Sequence, residues 1–136
     1  MSEKKVQTVM DVAGVHSPLG RYAHASVWNG LAFISGCGPF DESGTLVGEG
    51  DAAAQTRQLL ANARIILERL GAGPSDVLKE TVYLNDVGDR FETRVEREGF
   101  YGAHLPASTL IGVGELTDPR MLVEMDFVVA LSSGVA

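Results

Sequence analysis

The chain has 136 residues, of which 45% are hydrophobic, a formal net charge of −7 and one cysteine. That length supports one domain over residues 1–136 with a core of its own. The acidic balance argues against nucleic acid as a partner, because phosphate binding needs clustered Lys and Arg. A lone thiol excludes an internal disulfide and suits a reducing cytoplasm. No apolar run nears the roughly 18 residues needed to cross a bilayer, and the polar start from Met1 to Lys5 is not followed by the apolar core of a signal peptide.

In chain order, Lys5 to Val12 reads as a first strand, with Val6, Thr8 and Met10 on one parity. Ser17-Pro18 and Gly20 mark a loop. Asn29-Gly30 separates Ala25–Trp28 from Leu31–Ser35 and predicts a two-residue type I′ hairpin. The segment from Gly36 to Gly50 is glycine-rich but lacks the GxxxxGK[ST] pattern of a phosphate loop, so a long connection bordering a binding site is expected. Asp51 is a candidate N-cap for a helix ending near Leu70, with Leu59, Leu60, Ala63, Ile66, Leu67 and Leu70 as its apolar stripe and Gly71 as its terminator. Val77–Leu84 reads as a strand, with Leu78, Val82 and Leu84 sharing a parity. A second helix is predicted from Asp89 to about Tyr101, with Phe91 and Val95 inward and Leu105-Pro106 ending it. Ala107–Val113 reads as another strand.

The last strand, Met121–Leu131, is the most informative. Its odd positions, Met121, Val123, Met125, Phe127, Val129 and Leu131, are all apolar, as packing on a core requires. Its even positions set Glu124 and Asp126 among Leu122, Val128 and Ala130. Carboxylates on a half-buried face need partners, since burying an uncompensated charge is expensive. The order of elements is βββαβαββ, an α+β domain with both helices on one face of the sheet. The other face stays uncovered yet partly apolar, which predicts a homo-oligomer.

Several segments in this order resemble the Rid family of reactive intermediate deaminases, also called YjgF. Gly20-Arg21-Tyr22-Ala23-His24-Ala25 is similar to its GPYSQA segment, and Phe33-Ile34-Ser35-Gly36-Cys37 to its strand ending in SGQ. Ala54-Gln55-Thr56-Arg57 repeats its AQTR helix start. Leu84 to Asp89 resembles its LxDMND turn, Phe100-Tyr101 its FF pair, and Leu122-Val123-Glu124-Met125-Asp126 its LVEIE strand. The resemblance, spanning about Gly20 to Leu131, implies a chorismate-mutase-like α+β fold with a six-stranded mixed sheet. It also implies a homotrimer with small-molecule sites in the clefts between subunits. Active relatives hydrolyse imines and enamines derived from amino acids without metal or organic cofactor. An arginine in PAR[ST] holds the substrate carboxylate, and a glutamate corresponding to Glu124 holds the attacking water.

The chain departs from that pattern at Pro106-Ala107-Ser108-Thr109, where Ser108 stands in the arginine's place. A hydroxyl cannot replace the two parallel charge-assisted hydrogen bonds of a guanidinium. Cys37 and His24 likewise stand where the resemblance would put glutamines. The substrate range implied is therefore altered.

Each candidate residue carries two readings. Glu124 is a general base or a structural carboxylate of an interface, and Asp126, about 7 Å along the same face, is its neighbour. Arg94 falls in the resemblance at a cleft-lining asparagine and could supply the missing guanidinium. Otherwise it belongs with Arg90 and Arg97 to a solvated basic stripe. Tyr22 and Ser35 match cleft positions, offering a ring and hydroxyls, or are ordinary packing and capping groups. Cys37 and His24 form a nucleophile–base pair if the fold joins them, or are small buried groups. His16 and His104 show no ligand spacing, so neither a metal nor another cofactor is expected. The leading expectation is a cytoplasmic homotrimer, without nucleic-acid or membrane partners. It binds a small polar metabolite such as a 2-imino or 2-oxo acid, with Glu124 catalytic and Tyr22, Ser35, Cys37, Arg94 and Ser108 binding. The alternative is a non-catalytic binding or regulatory trimer; a ribonuclease or translation inhibitor draws no support from the acidic charge.

Overall fold

The computed structural model describes residues 5–132, so most of the polar N-terminal stretch lies outside it. Strands β1 (Gln7–Val9), β2 (Ala25–Trp28), β3 (Leu31–Cys37), β4 (Val77–Leu84), β5 (Ala107–Gly112) and β6 (Val123–Ala130) form one sheet. Their order is β1-β2-β3-β6-β4-β5, with β4 and β5 parallel and every other pair antiparallel. Helix α1 (Ala52–Arg69) precedes β4, and α2 (Arg90–Tyr101) is the crossover that two parallel strands need.

Local chemistry accounts for the boundaries. Asn29 and Gly30 take φ of 53° and 77°, the pair of left-handed residues a type I′ hairpin demands. Asp51 caps α1 by accepting from the Ala54 amide at 3.0 Å. At the other end, Gly71 takes φ 73°, Ala72 N donates to Leu67 O and Gly71 N to Glu68 O, the two bonds of a Schellman motif. The sidedness of α1 buries Leu59, Leu60, Ala63, Ile66 and Leu67 against Met125, Phe127 and Val129 of β6 and their neighbours. Each of the buried Leu and Ile side chains is worth about 1.5–3 kcal/mol. Gln55 is fully buried and ties α1 to the approach to β6. Its Nε2 donates to Arg120 O at 2.9 Å and its Oε1 accepts from Leu122 N at 2.7 Å.

The odd positions of β6 face the helices and are buried, while its even positions are half-buried on the opposite face. On that open face Phe33 and Ile111 remain 50% and 46% exposed.

Four expectations need correction. β1 is three residues long and its core residue is Val9; Val6 and Met10 lie outside. In β4 an irregularity between Val77 and Lys79 shifts the register, so Val77 turns inward and Leu78 outward, while Glu80 shares the core face with Val82 and Leu84. Phe91 and Val95 of α2 are 58% and 66% exposed, because α2 seats itself through Thr93 and Phe100, the latter against Phe127. The helix ends at Tyr101 as expected, but Gly102, at φ 61°, rather than Leu105-Pro106 terminates it.

Candidate active site

Glu124 sits on the open face of β6, directly opposite Tyr83 of β4. Its carboxyl lies against Gly36: a Cβ built there would come within 2.6 Å of Glu124 Oε2, so only glycine admits the carboxylate at this place. Together with Tyr22, His16, Phe40 and Met121 these residues line a cavity of about 360 Å³. Burial, and then the negative charge of Asp126, raise the Glu124 pKa above the ordinary glutamate range. Asp126 accepts from Tyr83 Oη at 2.9 Å, which raises the pKa of that phenol. A carboxyl with raised proton affinity at a cavity wall is a candidate for exchanging protons with a bound ligand or water.

Tyr22 stands on the rim, its Oη accepting from Leu19 N at 3.2 Å. Ser35 and Cys37 line a smaller cavity that shares His16, Tyr22 and Gly36 with the first. Ser35 Oγ donates to Ala23 O at 2.6 Å, and Cys37 Sγ to Ser35 O at 3.6 Å. Burial, followed by Glu124 and Asp126, pushes the Cys37 thiol up to about 12, so it is no nucleophile in this setting. His24 is also buried, which lowers its pKa, and its Nε2 bonds His16 O at 2.9 Å rather than the thiol. No nucleophile–base pair forms.

Arg94 and Ser108 belong to a second cavity, of about 300 Å³, between α2 and β5. Arg94 Nε donates to Glu98 at 2.9 Å, and both side chains are largely exposed. Ser108 lies opposite Glu80 on the helix-covered face, where its Oγ donates to Glu80 Oε2 at 2.6 Å. Glu80 is 1% exposed and pairs with Arg97, whose Nε and Nη2 both reach it. Arg97 Nη2 also lies 3.3 Å from Ser108 Oγ. Tyr101 lines the same cavity with its hydroxyl oxygen buried near Glu80; burial, and then the Glu80 carboxylate, raise its pKa.

The structure thus brings Tyr22 and Glu124 together and, separately, Arg94 and Ser108. Glu80, Arg97, Tyr101 and Gly36 are the site residues that sequence reasoning missed. The signal for Glu80 was its parity with Val82 and Leu84, a carboxylate in a core-facing row. Among the described residues no three His, Cys, Asp or Glu side chains converge as metal ligands, and no helix is long and apolar enough to cross a membrane.

The six-stranded mixed sheet with its two helices is the fold of YjgF-family structures. One of them, from Neisseria meningitidis, superposes with a TM-score of 0.75 at 28% identity, over 92% of this chain and 98% of that one. A family model described as endoribonuclease L-PSP matches residues 14–131. The chain belongs to the Rid family, the group also named YjgF, RutC and L-PSP. Among its Rid relatives is a RutC family protein of Pyrococcus abyssi, 34% identical over 80% of this chain and 85% of that protein. Another is the 3-aminoacrylate deaminase RutC of Acinetobacter baylyi, 32% identical over 82% and 88%.

Proposed function

We propose that this Rid protein is a cytoplasmic homotrimer that hydrolyses imines or enamines of small polar metabolites, releasing ammonia, with a substrate range different from that of relatives carrying the arginine. The observation that carries the reading is Glu124: a half-buried carboxyl of raised proton affinity, seated against Gly36 on a cavity wall. In its ionised form Glu124 accepts a hydrogen bond from a water and takes its proton as the oxygen attacks the imine carbon. The nitrogen gains a proton, the carbon–nitrogen bond of the resulting carbinolamine breaks, and the products are a carbonyl compound and ammonia.

Tyr22 closes one side of this pocket, and Ser35 and Cys37 contribute to binding from the smaller cavity that adjoins it. Arg94 and Ser108 belong to the other half of the site. The register supports a cleft shared between copies: Glu124 is on the open face of the sheet and Ser108 on the helix-covered face. A cleft using both needs a second copy, and the half-exposed Phe33 and Ile111 supply apolar surface for that contact.

Measuring ammonia or semicarbazone formation from enzymatically generated 2-iminobutyrate and a panel of related imines tests the reading. Acceleration that disappears in Glu124→Ala supports it; no acceleration across the panel refutes it. A binding trimer without turnover is the second reading, favoured by the carboxylate partners of both Arg94 and Arg97. It predicts binding of a 2-oxo acid or its amide by calorimetry with no ammonia release.

A further inference from the structure

Glu80 is out of place by pattern. The core face of β4 otherwise carries Val77, Val82 and Leu84, and a carboxylate there is tolerated only if its charge and lone pairs are satisfied. Arg97 and Ser108 satisfy it, and all three groups stand on the wall of the cavity between α2 and β5. Because Glu80 takes up the Nε and Nη2 side of the guanidinium, that group is held in one orientation. Its Nη1 has no hydrogen-bond partner among the described residues and remains available as a donor. The hydroxyl of Tyr101, buried on the same wall near Glu80, adds a group that can donate or accept.

The charge of this arrangement differs from that of a free arginine. Arg97 is balanced by Glu80, and Arg94 by Glu98. A ligand carboxylate would be attracted by Arg97 and repelled by Glu80, while losing its own hydration. A carboxamide keeps the same shape, loses far less hydration, and both accepts and donates. Resting on the reading of this cavity as half of the ligand cleft, we propose that the Arg97–Glu80 pair, with Ser108 and Tyr101, anchors a neutral carboxamide group in preference to a carboxylate. The carboxamide oxygen accepts from Arg97 Nη1, and its N–H groups face Tyr101 Oη and Glu80. Arg97, rather than Arg94, is then the specificity-determining cation.

Calorimetry on the full chain with 2-oxobutanamide and 2-oxobutyrate, a neutral and an anionic version of one skeleton, tests this. The wild type is expected to bind the amide at least about tenfold more tightly, a difference of about 1.4 kcal/mol. Glu80→Gln removes the balancing charge while keeping the shape, and should reverse that order. Wild-type preference for the carboxylate, an unchanged order in Glu80→Gln, or binding of neither compound would overturn the proposal. If Glu80→Gln does not fold, a Glu80→Met/Arg97→Met double variant replaces the pair with apolar groups of similar volume. It should lose amide affinity at least about tenfold, and retained affinity would overturn the proposal. Imine turnover is measured separately. Amide preference without turnover removes the hydrolase reading alone, and turnover with carboxylate preference removes this one alone.

Discussion

Replacing Gly36 with alanine separates the placement of Glu124 from its presence. A Cβ at residue 36 would sit 2.6 Å from Glu124 Oε2, 2.8 Å from Cδ and 3.3 Å from Cγ. Ordinary contact begins at 3.4 Å, so the carboxylate oxygen must retreat by about 0.8 Å. The clash falls on the far end of a flexible side chain, and Gly36 is not among the residues of positive φ, so the backbone accepts alanine without strain. The expected stability change is within about 1 kcal/mol, since the smaller unfolded-state entropy of alanine offsets part of the readjustment. Catalysis is more sensitive: a misplacement of about 1 Å costs on the order of 100-fold, or about 2.7 kcal/mol of barrier. Ammonia release from the imine panel gives kcat/KM, and thermal unfolding gives the stability. Glu124→Ala and the double variant complete a cycle in which the two losses should not add, because both act through one carboxylate. Wild-type turnover in Gly36→Ala, or additive losses, would refute the reasoning.

Glu124→Gln should stabilise the fold at neutral pH. A carboxyl whose folded pKa is raised adds stability below its unfolded pKa and loses it as pH rises through the folded value. The gain from glutamine should therefore be absent in acid and appear on the alkaline side, in denaturant titrations across pH. Cys37 should resist iodoacetamide in the native protein at mildly alkaline pH and react fully once unfolded, as a buried thiol of pKa about 12 must; rapid native labelling would contradict its placement. Arg94→Ala should cost less than about 0.5 kcal/mol, because its pair with Glu98 is exposed. Arg97→Ala should cost about 3–5 kcal/mol by leaving Glu80 buried without its cation; equal costs in urea unfolding would refute that contrast.

Features set by short-range chemistry could be read from the residues alone. The positive φ angles at Asn29 and Gly30, the Asp51 cap and the Gly71 terminator each depend on a few adjacent residues. The alternation of β6 was legible because every odd position obeyed it. What failed depended on neighbours distant in sequence. The irregularity in β4 is a property of its pairing with β6, so the apparent parity of Leu78 with Val82 was misleading. For α2 the spacing of Phe91 and Val95 suggests an inward face, whereas Thr93 and Phe100 are the buried residues, because Phe100 packs against Phe127 from a strand distant in sequence.

The same limit governs the site. Glu124 was singled out because a carboxylate interrupted an apolar frame, yet Glu80 interrupts a more deeply buried one. The difference is that the partners of Glu80 lie on two other elements, Arg97 on α2 and Ser108 on β5. Considered alone, Ser108 in place of an arginine looks like the loss of a cation. With Glu80 and Arg97 beside it, and on the role proposed for that pair, the exchange is a relocation: the guanidinium would come from α2, where the buried Glu80 carboxylate pairs with it. A serine at residue 108 is also what this geometry requires, since its hydroxyl donates to Glu80 while lying beside Arg97. An arginine restored there by Ser108→Arg would place a second guanidinium against the first. That substitution should lower stability rather than recover carboxylate binding, and thermal unfolding together with calorimetry on 2-oxobutyrate would distinguish the two outcomes. Recovered binding without destabilisation would mean that Glu80 and Arg97 are not coupled to residue 108.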